Sequence, residues 1–174
     1  PEKKYESNGG PGISQIMKLL SLSSSADKNR KQFMKSIFLY WLLGAIDGHA
    51  KNFSIFLKPG GDFELTPVYD VLSAFPLINK KQVDLKDIKM ARALHSKNRH
   101  YHLSDIVARH WFSQAERDNF PETEMRYIME QSISSLEKVI DQTGSTLPGD
   151  FPEDLAAAIF DGMRNMSKTI QHTL

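Results

Sequence analysis

Apolar and polar positions along this chain follow two periods, and the change from one to the other marks its most informative stretch. From Ile13 to about Leu22 apolar residues recur at helical spacing. Ser23, Ser24 and Ser25 break that run, with Asp27 placed to complete a capping box on Ser24. The next helix is expected over roughly Asp27 to Ile46. Its second half (Phe38, Leu39, Tyr40, Trp41, Leu42, Leu43) is apolar on nearly every side, which places it inside a domain. Phe53-Ser54-Ile55-Phe56-Leu57 then alternates with period two. Pro59-Gly60-Gly61-Asp62 is a turn signal, and Phe63-Glu64-Leu65-Thr66 alternates again, so a β-hairpin is expected. After Phe75-Pro76 the pattern is ambiguous to about Tyr101, with a short helix expected near Leu85 to Leu94. Three helices follow: one capped by Ser104 and running to about Asn119, one with Pro121 at its first position and Gly144 past its end, and one opened by Pro152.

The fold class expected is therefore mainly α with a small β-hairpin. The 174 residues fit one domain, and 40% hydrophobic residues suffice for a core. The apolar run Phe33–Ile46 is interrupted by Lys35, Ser36 and Gly44 and falls short of the ~20 residues a membrane span needs. No cysteine is present, which excludes disulfides and thiolate metal sites and is compatible with a cytoplasmic protein. A net charge of +1 with acids and bases intermixed argues against a dedicated nucleic-acid binder. The chain opens on Pro1-Glu2-Lys3-Lys4 without a Met and reads as part of something longer.

The chemistry is expected in Asp47-Gly48-His49-Ala50-Lys51-Asn52, between the buried helix and the hairpin. Phosphoryl transfer from ATP needs one carboxylate to orient and deprotonate the attacking hydroxyl, and oxygen ligands to hold Mg²⁺ on the phosphates. Asp47 and Asn52, five residues apart on a tight loop, can divide those jobs. With the turn centred between Gly60 and Gly61, Asn52 faces Tyr69 across the hairpin. Asp70, one residue further, then reaches the same ion, since cross-strand Cβ atoms lie ~5 Å apart. The alternative reading makes Asp47-Gly48 a helix-ending turn and Asp70 a polar strand end. His49 is a candidate to orient the loop or Asp70, and Lys51 to neutralise charge on the transferred phosphoryl group. A structural histidine and a solvated lysine are the plainer readings. Gly9-Gly10-Pro11-Gly12 fits a hinge better than a phosphate cradle, and His95 to His102 reads as a solvated basic loop. Phe33, Phe38, Tyr40 and Trp41 are expected in the core, with His110 and Trp111 in or near it.

The run Phe38 to Phe56, Leu-Thr-Pro-Val-Tyr-Asp-Val-Leu-Ser-Ala-Phe-Pro at Leu65 to Pro76, Tyr-Glu-Ser-Asn-Gly-Gly-Pro-Gly at Tyr5 to Gly12, and Asp-Phe-Pro-Glu at Asp150 to Glu153 together resemble the HipA family of bacterial toxin kinases. The resemblance implies a serine/threonine protein kinase of lipid-kinase-like fold, of which residues 1–174 are the helical C-terminal lobe. It implies Asp47 as catalytic base, Asn52 and Asp70 as Mg²⁺ ligands, and ATP as phosphate donor. It also implies glutamyl-tRNA synthetase as acceptor, a HipB-like antitoxin as partner, and operator DNA bound through the antitoxin complex. His49 stands where eukaryotic-type kinases carry Lys, and D-x-H-x-x-N is nearer to phosphoinositide kinases, so a lipid or small-molecule kinase is a competing reading. Asp70 is followed by Val71 and Leu72, not Phe-Gly. The nucleotide-covering loop and ATP-binding Lys of an N-lobe have no counterpart, which leaves a non-catalytic, antitoxin-binding module as a further alternative.

Overall fold

The helix that is apolar on all sides lies where that pattern requires, in the middle of the molecule. The computed structural model describes residues 3–174; the polar opening at Pro1 and Glu2 lies outside the described residues. Helix α1 (Ile13–Leu20) leads into α2 (Ala26–Leu42), which is flanked by α1, α5 (Glu122–Ser134) and α7 (Glu153–Gln171). Phe33, Met34, Phe38, Trp41 and Leu42 of α2 are fully buried. Trp111 of α4 (Ala108–Arg117) stands edge-on to Phe38 and Trp41, with ring centroids 5.1 and 6.1 Å away. Each such pair adds about 0.5–1.5 kcal/mol beyond the area it buries. Trp41 donates its indole N–H to the Leu103 carbonyl at 3.1 Å, so its polar atom is satisfied inside the core.

Strands β1 (Ile55–Leu57) and β2 (Phe63–Leu65) form the expected hairpin, with Ile55 opposite Leu65 and Leu57 opposite Phe63. That register differs by one residue from the expected one. Gly60 and Gly61 both adopt left-handed φ (79° and 81°), and Lys58 N–H bonds the Asp62 carbonyl at 2.8 Å, so the turn centres on Gly60. Helix α2 pins the hairpin: Asn29 Oδ1 accepts from Leu65 N–H at 3.1 Å, and Gln32 Nε2 donates to the Thr66 carbonyl at 3.0 Å. Ser24 does not form the expected capping box with Asp27; its backbone N–H donates to Asp62 of the hairpin turn at 2.8 Å.

The helix expected near Leu85 to Leu94 is not formed. Leu85–Asp87 is a single 3₁₀ turn, followed by β3 (Lys89–His95), which pairs antiparallel with β4 (Arg99–His102). The basic stretch His95–His102 is thus a second hairpin rather than a solvated loop. Leu103–Asp105 makes another 3₁₀ turn, so α4 begins later than Ser104. The helix expected to end before Gly144 is two: α5 gives way at Ser135, and α6 (Leu136–Thr146) contains Gly144. Short α3 (Phe75–Asn79) packs on α7. Phe75 fills a slot left by two glycines: a Cβ on Gly44 would lie 2.8 Å from its ring, and one on Gly162 would collide with it.

Candidate active site

Where α2 ends, Gly44 turns the chain through left-handed φ (61°), and residues 45–52 cross an end of the core as an irregular loop. Two contacts fix its backbone. A Cβ on Gly48 would collide with the Tyr40 ring, so only glycine lets the loop lie against α2 there. On the other side, Arg92 of β3 donates Nη1–H to the Gly48 carbonyl. Arg92 is 2% exposed, its guanidinium sits 4.7 Å from the Phe53 ring centroid, and burial pushes it down to about 10. The charge is offset by the nearby Glu6 carboxylate, by the Phe53 ring and by the hydrogen bond to Gly48. Beneath the same loop the Tyr40 hydroxyl is buried with no partner among the described residues, and desolvation raises its ionisation above the ordinary tyrosine range.

The loop presents Asp47 half-exposed, with 46% of its side chain open to solvent. Its Oδ1 accepts from the Tyr5 hydroxyl, which that bond and burial hold protonated by raising its ionisation. Its Oδ2 lies 3.7 Å from Nε2 of buried His49. Lys4 Nζ stands 4.0 Å from Oδ1. The contacts of His49 are thus to Asp47 and, edge-on at 5.4 Å between centroids, to Tyr5. Lys51 is exposed on the same loop, and its carbonyl accepts from the Tyr69 hydroxyl at 2.8 Å.

A 3₁₀ turn, Ala50–Asn52, replaces the expected continuation of β1, so Asn52 does not reach Asp70 through ladder pairing. The two side chains meet all the same. Asn52 Nδ2 donates to Asp70 Oδ2 at 2.8 Å, and Asp70 is held at left-handed φ (56°), a conformation that Asp tolerates better than most residues. Asn52 is 1% exposed, and its Oδ1 is buried without a partner among the described residues. An unpaired buried amide oxygen costs about 1–3 kcal/mol, and beside a carboxylate it is the donor set a hard oxygen-seeking cation takes. Among the described residues no group of three His, Cys, Asp or Glu could hold a metal unaided. That suits Mg²⁺, which is commonly bound through one or two carboxylates together with water and substrate phosphates. The sequence therefore locates Asp47, His49, Lys51, Asn52 and Asp70 in one place. It does not reveal Tyr5 or Arg92, which arrive from 42 and 44 residues away.

The family model of the HipA-like C-terminal domain matches residues 1–140. A Sinorhizobium fredii protein named "Putative kinase Y4mE" is 33% identical over 84 residues, which are 47% of this chain and 20% of that protein. A solved structure from Shewanella oneidensis MR-1, of the toxin HipA with HipB and its operator DNA, superposes with a TM-score of 0.79 at 19% identity over 98% of this chain. At that identity the likeness is one of fold. The chain spans 40% of the solved chain, so both relatives extend well beyond the part matched here.

Proposed function

The chain belongs to the family of HipA-like C-terminal domains, and from that premise we propose that it is the catalytic-loop lobe of an ATP-dependent serine/threonine protein kinase, the toxin of a bacterial toxin–antitoxin pair. The observation that carries the reading is the meeting of Asn52, on the loop that also carries Asp47, with Asp70 at 2.8 Å, the Asn52 Oδ1 being buried and unpaired among the described residues. A chain using Asp47 and Asp70 only as turn and strand-end residues has no need of that pair.

In this reading the acceptor hydroxyl attacks the γ-phosphorus of ATP, its proton passes to Asp47, and the bond to the β-phosphate oxygen breaks to release ADP. Asp47 can serve because one carboxylate oxygen is fixed by Tyr5 while the half-exposed side chain leaves the other for the acceptor. Asn52 Oδ1 and the Asp70 carboxylate would hold Mg²⁺, which neutralises charge on the nucleotide phosphates. Lys51, exposed on the same loop, supplies positive charge toward the transferred group. His49 Nε2 stands 3.7 Å from Oδ2, beyond hydrogen-bond distance, and leaves that oxygen open to the acceptor. The site is an open face, so a nucleotide-covering loop and an ATP-binding lysine from a second lobe would be needed to close it. Residues 1–174 alone are expected to transfer no phosphate.

The acceptor proposed is glutamyl-tRNA synthetase, and the partners a HipB-like antitoxin and, through it, operator DNA; the solved neighbour contains HipB and its operator. Among the described residues no helix is long and apolar enough to cross a membrane; the setting proposed, from these partners, is cytoplasmic. Asp47→Gln and Asp70→Gln, in the full-length protein, are each expected to lower transfer of labelled γ-phosphate to the synthetase by at least ~10²-fold, the low end of general-base contributions. Undiminished transfer in either variant overturns the reading.

A further inference from the structure

The glycine-rich stretch before α1 has neither the shape of a hinge nor that of a phosphate cradle. It closes on itself: Asn8 and Gly10 N–H both bond the Tyr5 carbonyl, at 3.1 and 2.8 Å. Gly9 takes left-handed φ (85°), and a Cβ on Gly10 would lie 2.5 Å from the Lys3 carbonyl and 2.7 Å from that of Tyr5. Gly12 is hemmed in by the Glu6 carboxylate, 2.8 Å from where its Cβ would be. Gly9 is thus required by its left-handed backbone, and Gly10 and Gly12 by the close packing of this one turn.

What the turn holds is Tyr5 and Glu6, and these point in opposite directions. The Glu6 side chain is 8% exposed; one oxygen accepts from Ala93 N–H at 2.8 Å and the other lies 2.8 Å from His95 Nε2, both on β3. Tyr5 reaches the other way and donates to Asp47 Oδ1, while the Lys4 carbonyl accepts from Ala50 N–H at 3.2 Å. We propose that Tyr5 is a positioning residue for the base, and that Glu6 anchors it: the hydroxyl fixes the Asp47 carboxylate so that Oδ2 faces the acceptor, and the glycine turn exists to carry that hydroxyl to it. This rests on Asp47 being the base, as argued above.

Tyr5→Phe removes one hydrogen bond to a charged group and leaves the ring in place. In the full-length protein, with labelled ATP and glutamyl-tRNA synthetase, it lowers kcat about tenfold and leaves the KM for ATP within twofold. Glu6→Ala gives a loss of similar size, and the double variant is no slower than the slower single one, since both act through one contact. Amide exchange at Ala50 needs no acceptor: Glu6→Ala speeds it at least tenfold if the anchor holds Lys4 against the loop. An unchanged kcat in Tyr5→Phe, additive losses in the double variant, or unchanged exchange at Ala50 each overturns the inference. Asp47→Gln assayed alongside separates the two claims. If it abolishes transfer while Tyr5→Phe matches the natural protein, only the positioning role falls; if Asp47→Gln transfers normally, the base assignment falls.

Discussion

Asp47 has one carboxylate oxygen hydrogen-bonded to Tyr5 and a second that accepts no hydrogen bond among the described residues, an asymmetry that suits the general base proposed for it. Water would otherwise let the side chain rotate among staggered positions. Tyr5 on Oδ1 and the close fit of Gly48 on Tyr40 restrict it from the side-chain and backbone ends respectively. Gly48 is the sharper test, since it touches no substrate. Gly48→Ala forces a methyl into the Tyr40 ring, and is expected to cost about 1–3 kcal/mol of stability, the usual penalty for overpacking. Transfer should fall with it even where the protein is fully folded, because the loop must lift away from α2. Denaturant melts paired with single-turnover rates check both, and a stable, fully active Gly48→Ala protein contradicts the close packing.

At the scale of elements, the second hairpin ties the loop of residues 45–52 to α4. Strand β3 supplies Arg92 to Gly48 and the Ala93 and His95 contacts to Glu6, and on its other side His100 of β4 stacks on His110 of α4, with ring centroids 3.7 Å apart. Burial, then the neighbouring His100 and Arg109, push the His110 imidazole down to about 4 against a weaker opposing pull from Asp105. Unfolded, it titrates near 6.5. The unfolded chain therefore binds a proton first as pH falls. Stability is fully present above about 6.5 and is lost progressively down to about 4, by an amount of about 1–3 kcal/mol. His110→Gln should flatten the stability–pH curve in that window, measured by urea melts; an unchanged curve contradicts the assignment. A similar test applies to α3 on α7, where Gly162→Ala, placed against Phe75, is expected to cost about 1–3 kcal/mol in the same melts. This hairpin was also the element least legible in the sequence. Met90 to Leu94 are buried in succession, so β3 shows no period-two alternation, and a short apolar run covered on both faces reads equally as helix. The first hairpin was legible because β2 has one buried face and its turn carries Pro and Gly. Its register was off by one because two left-handed glycines lengthen the turn by an amount that composition does not encode. Asp47, Asn52 and Asp70 could be read from local spacing. Tyr5, Glu6 and Arg92 could not, since what joins them to the loop is tertiary packing across more than forty residues.

Seen whole, the molecule buries its apolar residues around α2 and leaves its candidate chemical groups accessible on the loop that follows that helix and at Asp70, which pairs with Asn52 of that loop. Asp47, Lys51 and Asp70 are reachable there, while the side chains that fix them (Tyr40, His49, Asn52, Arg92) are buried or nearly so. The chain belongs to the family of HipA-like C-terminal domains and shares its fold with 40% of a longer solved chain. The division of labour among these groups is the central claim, and equilibrium binding of ATP to the full-length protein with and without Mg²⁺ tests it most directly. Asp70→Asn keeps the left-handed backbone conformation but removes the charge. It is expected to weaken binding of Mg²⁺–ATP at least tenfold and to erase the difference between the two conditions, while Asp47→Asn binds as the natural protein does. Full Mg²⁺-dependent binding by Asp70→Asn would contradict the assignment of Asn52 and Asp70 as the metal-holding pair.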